Sequence, residues 1–211
     1  MNSIAPNAPQ DPAEVRRSQI LEAAAGVFAE RGYARATMKE IAARAGVAPG
    51  TIYLYFENKR DLLLSIADQL IGQAWDQTRA QMAGLDSEAY IAAILRNTLD
   101  FVRQHRSFIQ ALATEIWTDD RLQEQFFSHI LGPIFDTGAG YLQAEVSAGR
   151  ARPSRIEIVI PTIAGSVIIL SVIHALAPDS FLSGFSEDEL VDELTRLYFY
   201  GLRPCSGEAA E

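Results

Sequence analysis

Residues 37–56, TMKEIAARAGVAPGTIYLYF, contain a helix start, a helix end and a second helix start in close succession. Thr37 is followed three residues later by a glutamate, the spacing of a capping box. Gly46 suits the left-handed backbone that commonly ends a helix. Pro49 and Gly50 suit the first turn of a second helix, where the missing N–H of proline costs little. The spacing predicts two short helices joined by a tight turn, which is helix-turn-helix packing.

Helix start and stop signals recur along the rest of the chain. Asp11 and Pro12 begin a helix that Gly32 ends, and Asn58 caps a long helix over 59–82. Further helices are predicted to start at or near Ser87, Ser107, Asp119, Ser154 and Ser186. No strand alternation is visible, so we predict an all-α chain of about nine helices.

A proline lies inside one of these predicted helices. This helix begins at Asp119 or Asp120 and runs to Gly149, and the Gly132-Pro133 step interrupts it. Because proline cannot donate a backbone hydrogen bond and clashes with the preceding turn, a kink is predicted at this step.

Charge is divided unequally along the chain. Residues 1–60 hold 8 basic and 6 acidic side chains, a net charge of +2, and the whole chain has a net charge of −9. The remaining 61–211 therefore carry −11. This asymmetry suggests a small module that meets a polyanion, attached to a larger acidic body.

The apolar segment 156–177 raises the question of a membrane. Its charge-free core, from Ile158 to Ile173, is 16 residues long, and a membrane-spanning helix needs about 20. We therefore expect a helix that is buried on nearly all sides within the protein. A membrane-anchored regulator remains the alternative.

Several functional classes lack the residues they need. One cysteine, Cys205, excludes a disulfide framework and a multi-cysteine metal site. The three histidines are dispersed, and no metalloprotease, hydrolase or phosphate-loop motif is present. We predict no catalytic, metal or cofactor site, and an all-helical enzyme is the least favoured alternative. Residues 1–10 lack a secretory signal pattern, so a flexible tail and a cytoplasmic protein are expected.

Residues 37–61, TMKEIAARAGVAPGTIYLYFENKRD, resemble the DNA-binding signature of the TetR/AcrR-like family of transcriptional regulators. A threonine-capped helix, an AGV turn, a GT-aliphatic-Tyr segment and a Phe-x-x-Lys step recur in that signature. The specific likeness covers about residues 13–73. Ala48 departs from it, because the family commonly has serine or threonine there. Pro49 is therefore expected to take over part of the capping of the second helix.

The resemblance implies three functional regions. Residues 11–58 form a three-helix DNA-binding domain with its motif at 37–56, and 59–82 form a connecting helix. Residues 83–211 form a larger helical domain that binds an effector and dimerises through its last two long helices. The implied function is a repressor that a small, mostly apolar effector releases from a palindromic operator.

The resemblance also implies which residues meet double-stranded DNA. The start of the second motif helix reads base edges in the major groove, and hydroxyl and ammonium groups around it contact phosphates. The predicted base-reading residues are Pro49, Gly50 and Thr51. The predicted phosphate contacts are Thr37, Lys39, Tyr53, Tyr55 and Lys59.

Two further sets of residues are predicted in the C-terminal domain. A homodimer interface is expected from small and apolar residues on the last two long helices, at Gly165, Ile168, Leu190, Leu194, Leu197, Tyr198 and Gly201. An effector pocket is expected from aromatic residues with a few polar groups, at Trp75, Phe101, His105, Trp117, Phe126, Ser166 and His174. Ser166 and His174 are expected to orient the effector.

Overall fold

The computed structural model describes residues 11–82, 84–177 and 179–201, and within these ranges every regular element is helical. The predicted flexible tail, 1–10, lies outside the described residues, as do the last ten residues of the predicted 83–211 domain. The elements are α1 (Pro12–Arg31), α2 (Met38–Arg44), a 3₁₀ turn (Ile52–Leu54), α3 (Lys59–Met82), α4 (Ser87–Gln104), α5 (Arg106–Ile116), α6 (Asp120–Gln125), a π-helical segment (Phe126–Leu131), α7 (Gly132–Ser147), α8 (Ile156–Leu176) and α9 (Glu187–Gly201). The all-α prediction is confirmed.

Local capping explains where several helices begin and end. The Asp11 carboxylate accepts from the backbone N–H of Ala13 at 2.9 Å, and Gly32 ends α1 with a φ of 77°. Gly46 ends α2 with a φ of 67°. These positions agree with the predicted signals, because each depends on residues only a few positions apart.

The predicted helix start at Ser87 is confirmed, whereas the predicted capping box at Ser154 is wrong. Helix α4 begins at Ser87 as predicted, and its N-cap is Asp86, whose carboxylate accepts from Ala89 N at 2.9 Å. The predicted capping box at Ser154 does not form, since α8 follows Arg155 without a side-chain cap. The Ser154 hydroxyl instead donates to the carbonyl of Arg152 at 3.1 Å.

A π-helical segment, Phe126–Leu131, lies directly before the Gly132-Pro133 step, and the kink predicted at that step stays a prediction. Here Gly132 N–H bonds to the carbonyl of Phe127, five residues earlier. Because Pro133 has no N–H to donate to the preceding turn, the wider turn admits it without ending the helix. Short α6 and longer α7 are therefore separated by this segment.

The hydrophobic core does not follow the predicted domain boundaries. One cluster joins α1, α2, the 3₁₀ turn and α3 with α5, α6 and the π-helical segment. A second, smaller cluster joins α4, α8 and α9 through Leu95, Leu99, Val167 and Val191. Part of the C-terminal body is thus packed directly on the N-terminal helices. The division at 58, 82 and 83 stays a prediction.

Helix α8 is not buried on nearly all sides in the subunit, so that expectation is wrong. Among its residues only Val167 and Ser171 are fully buried. The opposite face is exposed along its length, at Ile158, Pro161, Thr162, Gly165, Ile168 and Ile169. By length and composition α8 is apolar enough to cross a membrane, with a mean hydropathy of 2.3. Its inner face packs on the subunit, and its outer face is not covered by any of the described residues.

Glu145 of α7 forms a buried polar contact whose loss we expect to destabilise the protein. It is 8% exposed, accepts from Ser87 Oγ at 2.6 Å and binds Arg150 through two contacts of 2.6 and 3.0 Å. Glu145→Gln is expected to lower the free energy of unfolding at pH 7 by about 1.5–3 kcal/mol, the value of hydrogen bonds to a charged group. Urea unfolding of both proteins measures the difference.

The Glu145 contact also predicts a pH dependence. The hydrogen bonds from Arg150 lower the pKa of Glu145 below its ordinary value of 4.5. The contact therefore stabilises the protein above pH 4.5, and this stabilisation is lost as the pH falls through the lowered pKa. The difference between wild type and Glu145→Gln should shrink over that range, whereas the control Glu124→Gln, at an exposed carboxylate, should show little difference throughout. A constant difference from pH 7 to pH 3 would contradict this assignment.

Candidate nucleic-acid interface

The recognition segment, residues 47–56, is a succession of tight turns and not a regular α-helix. Thr51 N–H donates to Ala48 at 2.9 Å, Leu54 N–H to Thr51 at 3.1 Å and Tyr55 N–H to Ile52 at 3.1 Å. Each bond spans three residues, the pattern of a 3₁₀ helix. No side chain caps this element, which agrees with the absence of a hydroxyl at Ala48. The predicted second helix is thus shortened to a 3₁₀ turn.

The inner side of the recognition segment is fixed by the core. Ile52 and Phe56 are buried, and they belong to the cluster that contains Ile41 and Ala42 of α2. Val47 N–H also returns to the carbonyl of Ala42 at 3.0 Å. This packing holds the recognition segment against α2 at a fixed angle, so the helix-turn-helix arrangement is formed.

The outer side of the recognition segment is open to solvent. Pro49 and Gly50 are exposed and Tyr53 is 57% exposed, whereas Thr51 and Tyr55 are half-buried. Leu54 is 82% exposed, although no role was predicted for it. Because Ile52 and Phe56 point inward, Leu54 lies on the opposite side of the turn. The spacing of these residues in the sequence could therefore have predicted its exposure. An exposed leucine there suits contact with thymine methyl groups or sugars.

Gly50 is a glycine that the fold itself does not require. It is not among the described glycines with positive φ, which are Gly32, Gly46, Gly84 and Gly149. A Cβ atom at Gly50 would meet no atom within 4 Å. Neither backbone conformation nor internal packing therefore explains this residue. At this exposed position the absence of a side chain leaves the backbone accessible to an external molecule.

Thr37 is engaged in the capping box that was predicted for α2. Its hydroxyl donates to Glu40 Oε2 at 2.9 Å, and its backbone N–H donates to the same oxygen at 3.1 Å. The Glu40 N–H returns to the Thr37 hydroxyl at 3.2 Å. Thr37 therefore fixes the start of α2, and its phosphate contact stays a prediction.

Several basic side chains of the N-terminal module are already paired. Arg31 contacts Glu40 at 2.6 Å and Arg44 contacts Glu30 at 2.6 Å. The Arg44 guanidinium lies over Gly26, where a Cβ atom would come within 2.7 Å of it. Lys39 is exposed, and within the described residues its ammonium group has no ion pair or hydrogen bond. Of the two lysines in the chain, Lys39 is thus the one available to a phosphate.

Lys59, the other lysine, is held by the protein itself. Its Nζ donates to the carbonyls of Tyr33 at 2.6 Å, Ala34 at 3.2 Å and Ala36 at 3.2 Å. It also lies 4.3 Å from the centre of the Tyr33 ring. Burial lowers the pKa of Lys59 from its ordinary value, and the nearby Glu115 carboxylate opposes that shift. The predicted phosphate contact of Lys59 stays a prediction.

The first turn of α3 also contacts the C-terminal body. Arg60 forms an ion pair with Asp119, the N-cap residue of α6. Around this pair, Leu112 and Ile116 of α5 and Leu122 of α6 belong to the same core cluster as α1 and α3. The N-terminal module and the body are therefore joined by packing and by charge.

The residues predicted to bind an effector lie in separate surroundings. Trp117 is 77% exposed, and Phe126 is buried in the cluster shared with the N-terminal helices. Phe101 and His105 are in ring contact at 4.8 Å, and burial lowers the pKa of His105 from its ordinary value. Ser166 is hydrogen-bonded to Tyr198, and Trp75 and His174 are half-buried. The effector site stays a prediction.

The residues predicted to form a dimer interface divide into two groups. Gly165, Ile168, Leu197 and Gly201 are exposed. Leu194 and Tyr198 instead pack on the cluster of α4, α8 and α9, and Leu190 is half-buried. The exposed group defines an outer face on α8 and α9 that a second subunit could cover.

Sequence comparison relates the N-terminal module to known regulators. A family model described as "Bacterial regulatory proteins, tetR family" matches residues 20–66. The fatty acid metabolism regulator protein of Bacillus subtilis (strain 168) is 53% identical over 55 residues. That match covers 26% of this chain and only 28% of the length of the relative.

Two comparisons extend over most of the chain. The HTH-type transcriptional repressor Rv1474c of Mycobacterium tuberculosis (strain ATCC 25618 / H37Rv) is 30% identical over 187 residues, 77% of this chain and 98% of that protein. The crystal structure of the transcriptional regulator FadR from Bacillus subtilis in complex with stearoyl-CoA superimposes with a TM-score of 0.74 at 22% identity. This superposition covers 88% of this chain and 99% of that one, and shows a shared fold.

Proposed function

Because the chain belongs to the TetR family of bacterial regulatory proteins, we propose that it is a dimeric repressor released from a palindromic operator by a small, mostly apolar effector. The named relatives are transcriptional regulators, and no enzyme is among them. The proposed place of action is the cytoplasm, on double-stranded DNA.

Gly50 is the observation that carries the DNA-binding proposal. It stands at the exposed start of the recognition segment, beside Pro49 and Thr51, and nothing inside the protein explains it. In the proposed complex this edge enters the major groove, where the lack of a side chain brings the backbone close to the bases. Tyr53, Tyr55 and Thr37 border it as phosphate contacts, together with Lys39.

A twofold dimer is proposed because one recognition segment reads few base pairs. The short 3₁₀ element offers only about four outward residues, too few for genomic specificity. The exposed apolar face of α8, together with the exposed Leu197 and Gly201 of α9, suits a self-complementary interface about a twofold axis. Two segments so related would read two half-sites of a near-palindrome.

The effector is proposed to bind inside the C-terminal body and to be mostly apolar. Stearoyl-CoA, which the B. subtilis FadR structure contains, joins an apolar acyl chain to a charged CoA group, and it is the first compound to test. The proposed lining residues are Trp75, Phe101, His105, Ser166 and His174. Closure of these residues around an effector would require the C-terminal body to rearrange. Such a rearrangement reaches the DNA-binding module through α5, α6 and α3.

Footprinting of the purified protein on the DNA upstream of its own gene tests the function. The expected result is two protected half-sites related by twofold symmetry, with centres about 34–36 Å apart or a multiple of that spacing. Protection of DNA without twofold symmetry would contradict binding by a twofold dimer. If no half-site is protected even at protein concentrations that give non-specific binding, sequence-specific regulation through this site is contradicted.

Gly50→Ala is expected to weaken operator binding without destabilising the protein. Alanine fits the backbone and the open space at this position, so the thermal midpoint should stay the same or rise slightly. The added methyl group would hold the backbone away from the bases and lower operator affinity by about 5- to 150-fold, the value of one lost base contact. Fluorescence anisotropy measures this affinity. Gly72→Ala, at another open position, is the matched control and should bind normally.

A further inference from the structure

We propose that Lys59 is a positioning residue: its ammonium group fixes the turn 33–36 and thereby the orientation of α2 and the recognition segment, and it does not contact DNA phosphate. The affinity measurements that test this inference rest on the proposed DNA-binding function. It stands on the hydrogen bonds of Lys59 and on the place of the turn in the fold.

The hydrogen bonds of Lys59 use its full donor capacity. An ammonium group has three protons, and three carbonyl oxygens, those of Tyr33, Ala34 and Ala36, accept from Nζ within 3.2 Å. The Tyr33 ring covers another side of the same group. Lys59 could bind a phosphate only if it broke its hydrogen bonds to these carbonyls. The phosphate would then have to replace several charge-assisted hydrogen bonds.

The turn that Lys59 holds leads directly into α2. Gly32 ends α1, and Ala36 is buried, with its N–H close to the carbonyls of Gly32 and Tyr33. Thr37 follows at once as the N-cap of α2. The Tyr33 ring packs on Phe28 of α1, with 5.2 Å between ring centres. Any movement of the turn therefore moves the start of α2 relative to α1.

Lys59 is also the first residue of α3, the helix that leads into the C-terminal body. Its ammonium group thus connects the start of α3 to the start of α2 through a single side chain. The recognition segment lies between these two helices in the chain and packs on α2 through Ile52. Lys59 accordingly sets the angle at which the segment faces the groove.

The two lysines of the chain form a natural matched pair for the experiment. Lys39→Ala removes an exposed ammonium group, so it should weaken operator and random DNA alike and reduce the slope of log affinity against log salt by about one. Lys59→Ala should leave the salt slope and the affinity for random DNA unchanged. Its operator affinity should fall by about tenfold or more, because specific contacts depend on orientation.

Lys59→Arg separates positioning from charge. Arginine binds phosphate at least as well as lysine, but its planar donors cannot converge on three carbonyls as an ammonium group does. A positioning role predicts that Lys59→Arg fails to restore operator affinity, with the slope again unchanged. Restored affinity, or a slope reduced by about one in Lys59→Ala, would overturn the proposal.

Hydrogen exchange in the absence of DNA tests the positioning role independently of the proposed function. The N–H groups of Ala36 and Thr37 are hydrogen-bonded in the wild type. They should exchange at least about tenfold faster in Lys59→Ala and at the wild-type rate in Lys39→Ala. Unchanged exchange at Ala36 and Thr37 in Lys59→Ala would overturn the proposal even if operator binding fell. If the wild type binds no operator, the proposed function fails while this measurement still decides the role of Lys59.

Discussion

Gly165→Arg is expected to make the protein monomeric and to lower operator affinity by at least about a thousandfold, toward the level of non-specific binding. Gly165 lies in the middle of the outer face of α8, where a Cβ atom would meet nothing within 4 Å. In the isolated subunit an arginine there is harmless. In a twofold interface the same position meets its own copy or a close neighbour, so two cations would be buried without partners.

The composition of the outer face explains why a second subunit is the expected cover. Ile158, Ile168 and Ile169 are exposed together with Gly165 on one side of α8. A continuous apolar stripe of this length is costly to leave in water. The small residue at its centre allows two helices to approach closely. Leu197 of α9 is also exposed, and two α8–α9 pairs would make a four-helix interface.

Sedimentation equilibrium and operator binding of the same preparations test this prediction. Gly140→Arg is the matched control, since Gly140 of α7 is also exposed with open space around it. It should remain dimeric and bind DNA normally. A dimeric, DNA-competent Gly165→Arg would contradict the interface. A wild-type protein that stays dispersed only in detergent would instead favour the membrane-anchored alternative for α8.

Features that depend on neighbouring residues were predictable from the sequence. The cap at Asp11, the capping box of Thr37 and the glycine ends of α1 and α2 each involve groups within a few positions. The inward side of the recognition segment also followed from spacing alone, through Ile52 and Phe56. The resemblance then supplied the function that such an arrangement performs.

Features that depend on distant residues were not predictable in this way. The carbonyls that engage Lys59 lie 23 to 26 residues earlier in the chain, so its pattern suited a free cation equally well. Phe126 has helical spacing typical of a pocket or a core, and its burial beside the N-terminal helices depends on packing between distant parts of the chain. The burial of α8 depends on what covers it, and a single sequence does not contain the partner geometry.

Asp119→Asn is expected to weaken the coupling between effector and operator while leaving each binding site intact. In the wild type, effector should lower operator affinity by about 5- to 150-fold, the usual range of allosteric coupling. Asp119 connects the two parts: one carboxylate oxygen caps α6 by accepting from Arg121 and Leu122, and the other pairs with Arg60 of α3. If effector shifts α6, the Arg60–Asp119 ion pair therefore transmits the shift to the first turn of α3.

The choice of asparagine isolates the ion pair from the cap. Asparagine caps helices about as well as aspartate, so α6 should keep its start while losing the charge that holds Arg60. Asp86→Asn is the matched control, because Asp86 caps α4 through Ala89 and has no ion pair among the described residues. It should keep the full coupling. The pair is partly exposed, so the stability of the fold should change little in either variant.

Operator affinity measured with and without stearoyl-CoA gives the coupling factor, and stearoyl-CoA affinity measured with and without operator must give the same factor by linkage. Asp119→Asn should bring both factors toward one together, because it breaks the connection and neither site. Core packing of α5 against α1 remains, so some coupling should persist. If the two factors stay at their wild-type values in Asp119→Asn, the effector acts on the DNA-binding module through that packing alone, and the Arg60–Asp119 pair carries none of the signal.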